Sequence, residues 1–134
     1  MVAAARSWLH VPWRHQGRTR RGIDCVGFAV LVFGAIRPGI PDQRGYLRTP
    51  FSRRLALSLM AGFGAPVSRD ELQPADVVTL ANSGEEHHVA IVTDHPEGLG
   101  LIHCYARASG GPGRVVEHRL SDDWARRIVE VFRP

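Results

Sequence analysis

The chain has 134 residues, 44% of them apolar, which is enough for one domain with a real core over residues 1–134, too few for two domains, and too apolar for a disordered chain. No apolar run approaches the roughly 20 residues a membrane-crossing helix needs, so membrane insertion is not expected. The formal charge is +4 and every basic residue is arginine, but the arginines are scattered and interleaved with Asp and Glu after residue 70, so a nucleic-acid site is not expected, and attraction to an anionic polymer such as a cell wall, or plain solvation, matches the balance better.

Met1 to Leu9 reads as a short Ala-rich helix with Trp8 and Leu9 on its apolar side, ended by Pro12. This start lacks a basic stretch followed by an apolar one, so the reading is of a protein made in the cytoplasm without a secretory signal. Arg14 to Gly22 is a polar approach. It gives way abruptly to Asp24-Cys25-Val26-Gly27-Phe28 and a helix to about Ala35, stopped by Arg37-Pro38-Gly39. Asp24 stands where an N-cap belongs and Cys25 in the first turn, where unpaired N–H groups and the helix dipole favour thiolate. The position suits a nucleophile. Cys25 and Cys104 form no C-x-x-C pair and no disulfide framework, so structural zinc is not expected.

Ile40 to Pro50 is a loop, and Leu55, Leu59, Met60 and Phe63 recur at helical spacing until Gly64-Ala65-Pro66. After Pro74 the pattern changes to short β-branched runs: Asp76–Leu80, His88–Thr93, Leu99–Tyr105 and Val115–Leu120. Turns at 82–84 and 95–98 and a glycine-rich hairpin loop at 109–113 separate them. Ser121–Trp124 reads as a capped helical turn and Ile128–Phe132 as a closing strand. Helices first and an antiparallel sheet second make an α+β chain.

A thiolate needs a base to share its proton and donors for a developing oxyanion. His88 opens one strand and His103 lies within the next, with a short turn between. Antiparallel pairing can set the two imidazoles side by side on one face, one taking a proton while the other holds its tautomer. The plainer reading of such a pair is two satisfied core residues. His10, His15, His95 and His118 lie in loops or at element ends and read as surface residues; Cys104 reads as a small buried hydrophobe.

The segments Gly22-Ile23-Asp24-Cys25-Val26-Gly27-Phe28, Gln73-Pro74-Ala75-Asp76-Val77-Val78, His88-Val89-Ala90-Ile91-Val92 and Ile102-His103, in that order, resemble the NlpC/P60 family of cysteine peptidases over nearly the whole chain. Trp8 to Gly17 resembles the branch found in phage tails and gene transfer agents. The resemblance implies a papain-like core and hydrolysis of peptidoglycan stem peptides, typically between D-glutamate and diaminopimelate. It assigns Cys25 as nucleophile, His88 rather than His87 as base, and His103 as orienting residue, with no metal or organic cofactor. It also implies that Asp24 meets the stem peptide's free amine, that phage-type tail-tip proteins are partners, and that the protein rides in a virion and acts at the cell wall. Two departures stand out. Val26 replaces the usual Ser, and Trp13 replaces a Tyr whose phenol lies near the cysteine; an indole N–H donates but cannot accept. Gln16 is a candidate oxyanion donor or simply a loop residue. The departures keep open a catalytically idle structural module on the same fold, and the scaffold also admits acyl transfer to an acceptor other than water or, less readily, a metal held by Cys25, His88 and His103.

Overall fold

The computed structural model describes residues 1–42, 44–46, 62–82, 85–106 and 112–134, with residues 82 and 85–87 described by backbone alone. The helix expected over Leu55, Leu59 and Met60, the 83–84 turn and much of the 109–113 loop lie outside the described residues.

Helix α1 (Val2–Arg6) is shorter than the Met1–Leu9 reading. Trp8 and Leu9 instead close tight turns, their N–H groups donating to Ala5 and Arg6 carbonyls. The polar approach holds a small hairpin, β1 (Arg18–Thr19) against β2 (Gly22–Ile23), which delivers the chain to helix α2 (Cys25–Gly34). Nearly every residue of α2 is buried, so it is a central helix with no solvated face.

The rest is one antiparallel sheet. Its strands are β3 (Ala65–Pro66), β4 (Val77–Asn82), β5 (Glu85–His95), β6 (Gly98–Tyr105), β7 (Arg114–Arg119) and β8 (Ile128–Arg133), ordered β3-β8-β4-β5-β6-β7. The Ala65–Pro66 segment, expected to end a helix, is an edge strand on β8, a place where a proline's missing N–H costs the ladder nothing. A 3₁₀ turn (Arg69–Glu71) with a Ser68/Glu71 capping box leads into β4. Buried Asp76, just before β4, accepts two 3.0 Å hydrogen bonds from Arg133, tying that corner to the end of the chain. Helix α3 (Asp122–Arg127) joins β7 to β8.

The sheet is apolar on both faces. Val77, Val89, Ile91, Ile102, Cys104 and Val115 pack with α2, including Cys25, Val26, Phe28 and Phe33. Val78, Leu80, Ala90, Val92, Leu101, Ile128 and Val131 form a second cluster, covered by Leu72, Leu99, Leu120 and, from α3, Trp124. Arg6 pins α1 to β7 through Glu117 (2.7 Å). No helix of the described residues is long and apolar enough to cross a membrane.

Candidate functional site

Cys25 is the first residue of α2, and Asp24 is its N-cap, accepting from the Gly27 N–H at 2.8 Å. Asp24 does more than cap. Its Oδ1 also accepts from Arg18 Nη1 (3.2 Å), and its Oδ2 accepts from the Gln16 N–H (2.6 Å) and the Tyr46 hydroxyl (2.6 Å). The Asp24 side chain is 4% exposed and that of Arg18 7%, so this is a buried ion pair with its lone pairs engaged. Asp42 meets the other side of the guanidinium at 2.8 Å. Burial and the Asp24 acceptor push the Tyr46 hydroxyl up, keeping it a donor.

The Cys25 thiol is buried, and burial followed by the Asp24 charge pushes it up to about 12. Backbone N–H groups of Val89, Val26 and Cys25 face the sulfur and pull the other way. The Val89 N–H is available because the β5–β6 ladder begins only at Ile91↔Ile102. Beyond that pair the β5–β6 register is not continued, and Val89 packs with Cys25 in the core on the α2 side. Backbone N–H groups at a helix start are what a developing oxyanion or thiolate needs.

His88 and His103 are brought together, Nε2 of the first lying 2.5 Å from Nδ1 of the second. The pair does not face the thiol. Val89, Ile91, Ile102 and Cys104 lie on the α2 side, so alternation turns His88 and His103 to the α3 side, where Trp124 lies 5.2 Å from the His103 ring. Among the described residues no hydrogen bond joins His88 to Cys25. Burial lowers His88 to about 4 and His103 well below the usual imidazole range, so both rings are neutral at pH 7.

The remaining predicted residues divide clearly. Gln16 sits in a left-handed turn (φ 55°), and its carboxamide accepts from the Gly45 N–H and donates to the Tyr46 carbonyl, so it staples the loop rather than reaching the sulfur. Trp13 bridges to Ile23, stacks on His15 and donates its backbone N–H to the Gly113 carbonyl. Val26 is 1% exposed and belongs to the core, so its replacement of a serine does not alter an exposed surface. Cys104 is buried as expected, its thiol donating to the Ile23 carbonyl. Because Cys25 and the imidazoles occupy opposite faces, they do not converge as metal ligands, and among the described residues no group of three His, Cys, Asp or Glu could hold a metal ion. A cleft of about 580 Å³, lined by Arg6, His10, Asp94, His95 and Glu117 among others, contains none of the predicted site residues.

Arg18, Tyr46 and His118 escaped sequence reasoning. Tyr46 enters from a loop with no motif. His118, taken for a surface residue, has its Nε2 2.9 Å from His103 Nε2 and packs on Trp124. Its position as the last residue but one of β7 was the available signal, since β7 pairs with β6.

With that geometry in hand, comparison with known proteins is specific. The NlpC/P60 family model matches residues 10–127. The chain is 32% identical over 88 residues to the probable endopeptidase NlpC of Escherichia coli (strain K12), covering 64% of this chain and 49% of that protein. It thus spans about half the length of that curated relative. Among solved structures, the NlpC/p60 domain of peptidoglycan hydrolase SagA aligns with a TM-score of 0.66 at 19% identity, over 99% of this chain and 95% of that one. An NlpC/P60 family protein from Bacillus cereus ATCC 10987 aligns at 0.70 and 21%, over 98% and 38%. Both share the fold: helices on an antiparallel sheet in an α+β, papain-like core.

Proposed function

Because the chain belongs to the NlpC/P60 family, we propose that it is a cysteine peptidase hydrolysing amide bonds in peptidoglycan stem peptides, with Cys25 as nucleophile, His88 as base and His103 as orienting residue. The observation that carries this reading is Cys25 as the first residue of α2, capped by Asp24 and packed with Val89, whose neighbour His88 meets His103. The endopeptidase relative and the peptidoglycan hydrolase of the same fold support the substrate class.

In this reading the thiol proton passes to His88 and the sulfur attacks the scissile carbonyl carbon. The resulting oxyanion is held by the N–H groups around Cys25. Collapse breaks the C–N bond, the leaving amine takes the proton from His88, and a thioester remains. Water, giving its proton to His88, then releases the acid and restores the thiol. The first step needs the His88 ring to turn from the α3 side of the sheet to the sulfur. A stem-peptide amine meeting Asp24 has to displace a donor already present, and the Tyr46 hydroxyl is the neutral one that can swing away. The D-glutamate–diaminopimelate bond, and a place in a phage-type tail that opens the wall during DNA delivery, belong to this proposal through the resemblance of Trp8 to Gly17.

One observation favours a second reading, an idle structural module on the same fold: the unliganded thiol is held protonated and has no hydrogen bond to His88. Digestion of defined muropeptides, with mass analysis of products and Cys25→Ala beside wild type, separates the two. Cleavage by wild type and none by the variant supports the peptidase. Equal product from both, or none from either, ends it.

A further inference from the structure

We infer that His118 is a positioning residue: together with the Arg119 carbonyl it sets the tautomers of His103 and His88, and so decides which nitrogen of His88 is left to act as a base. The role of His88 as a base rests on the peptidase reading; the tautomers do not.

The three rings step diagonally across three neighbouring strands on one face of the sheet. His88 on β5 meets His103 on β6, and His103 meets His118 on β7, through N···N contacts of 2.5 and 2.9 Å. At the far end His118 Nδ1 lies 2.8 Å from the Arg119 carbonyl oxygen. That oxygen is itself fixed, because it also accepts from the Ser121 N–H at the turn into α3. The Trp124 ring, 5.2 Å from His103 and 4.9 Å from His118, roofs the array, and Arg127 lies over the outer side of the indole.

A carbonyl can only accept, which gives the chain a direction. His118 Nδ1 must carry the proton, so in a neutral ring its Nε2 is bare. Bare Nε2 must accept from His103, whose Nε2 therefore carries the proton and whose Nδ1 is bare. That Nδ1 must accept from His88 Nε2–H. The one nitrogen left without a proton and, among the described residues, without a partner is His88 Nδ1. One backbone carbonyl thus orients three imidazoles. Without the His118 acceptor, the buried His103 Nε2–H is orphaned, and the pair gains by reversing: His103 donates through Nδ1, and His88 takes its proton on Nδ1, where a base must be empty.

The test is long-range ¹⁵N–¹H correlation on labelled protein at pH 7.5, with rings assigned from single His→Gln variants. Bare and protonated ring nitrogens resonate far apart. The expected wild-type pattern is Nδ1–H for His118, the minor form of free imidazole, with Nε2–H for His103 and His88. In His118→Phe, His88 should acquire Nδ1–H character. His118→Gln, whose carboxamide oxygen can accept from His103, should keep the wild-type pattern. On muropeptides, His118→Phe should lower kcat about 10- to 100-fold with KM within about twofold, and His118→Gln should recover kcat to within about threefold. His118 found as Nε2–H, or a His88 tautomer identical in wild type and His118→Phe, overturns the inference. Because the spectra need no substrate, the expected tautomers in a protein that cleaves no muropeptide would retire the peptidase reading alone. Cleavage by a protein whose His88 ignores His118 would retire this one.

Discussion

Replacing Asp24 by Asn keeps the shape of the α2 cap and removes its charge, which isolates what the carboxylate does. One amide oxygen can still accept from Gly27 and Arg18, but the NH₂ now faces the Gln16 N–H and the Tyr46 hydroxyl where Oδ2 accepted both at 2.6 Å. The hydroxyl can rotate; the backbone N–H cannot. An orphaned buried donor costs about 1–3 kcal/mol. Breaking a buried ion pair from one side costs about 3–5 kcal/mol, reduced here because Asp42 still holds Arg18 at 2.8 Å. The terms overlap, and about 3 kcal/mol is the expected loss, or roughly 10 °C in Tm for a domain of this size. Urea titration followed by far-UV circular dichroism at pH 7, with an unchanged m-value, measures it. Tyr46→Phe, which removes one donor and no charge, should cost about 1.5 kcal/mol. An Asp24→Asn protein within about 1 kcal/mol of wild type, or no worse than Tyr46→Phe, would refute the claim that this carboxylate anchors the start of α2.

Three further expectations follow from burial. With the Cys25 thiol pushed up to about 12, the thiolate fraction at pH 7 is about 10⁻⁵, so iodoacetamide labelling of the unliganded protein should rise about tenfold per pH unit up to pH 10; a rate already level between pH 6 and 7 would put a base on the resting sulfur. His88 is lowered to about 4 from an unfolded value near 6.5, so the unfolded chain takes up its proton first as pH falls. Its contribution to stability is complete above about pH 6.5 and is lost progressively towards pH 4, with His103 acting in the same direction. A single displacement of that size corresponds to about 3 kcal/mol, and a urea midpoint flat from pH 7 to 4.5 would contradict it. Gly27→Ala should destabilise by about 2 kcal/mol even though alanine is the better helix former, because its Cβ would meet the Gly17 carbonyl oxygen at 2.3 Å and Arg18 Nη1 at 2.4 Å; a stabilised variant in thermal melts would be the contrary result.

Local chemistry made the Cys25 neighbourhood legible without coordinates. An Asp before a cysteine and an apolar run is a helix start by itself, because the cap, the first turn and the dipole all act within four residues. The β5–β6 pair was legible for the same reason, since a short turn at 95–98 leaves antiparallel neighbours little choice, and it set His88 beside His103. Nothing local chooses the face on which the imidazoles stand. His88-Val89-Ala90-Ile91-Val92 is apolar at both parities, and both sheet faces are covered, so alternation carries no signal there. Packing of α2 on Val89 and Ile91, and of Trp124 on the other side, made that choice. Nor could sequence join His118 to His103, or Tyr46 and Arg18 to Asp24: those contacts span 15, 22 and 6 residues and exist only once strands pair and loops close. Short-range order belongs to the chain itself, whereas the meeting of distant polar groups waits on which surfaces the folded core leaves facing one another.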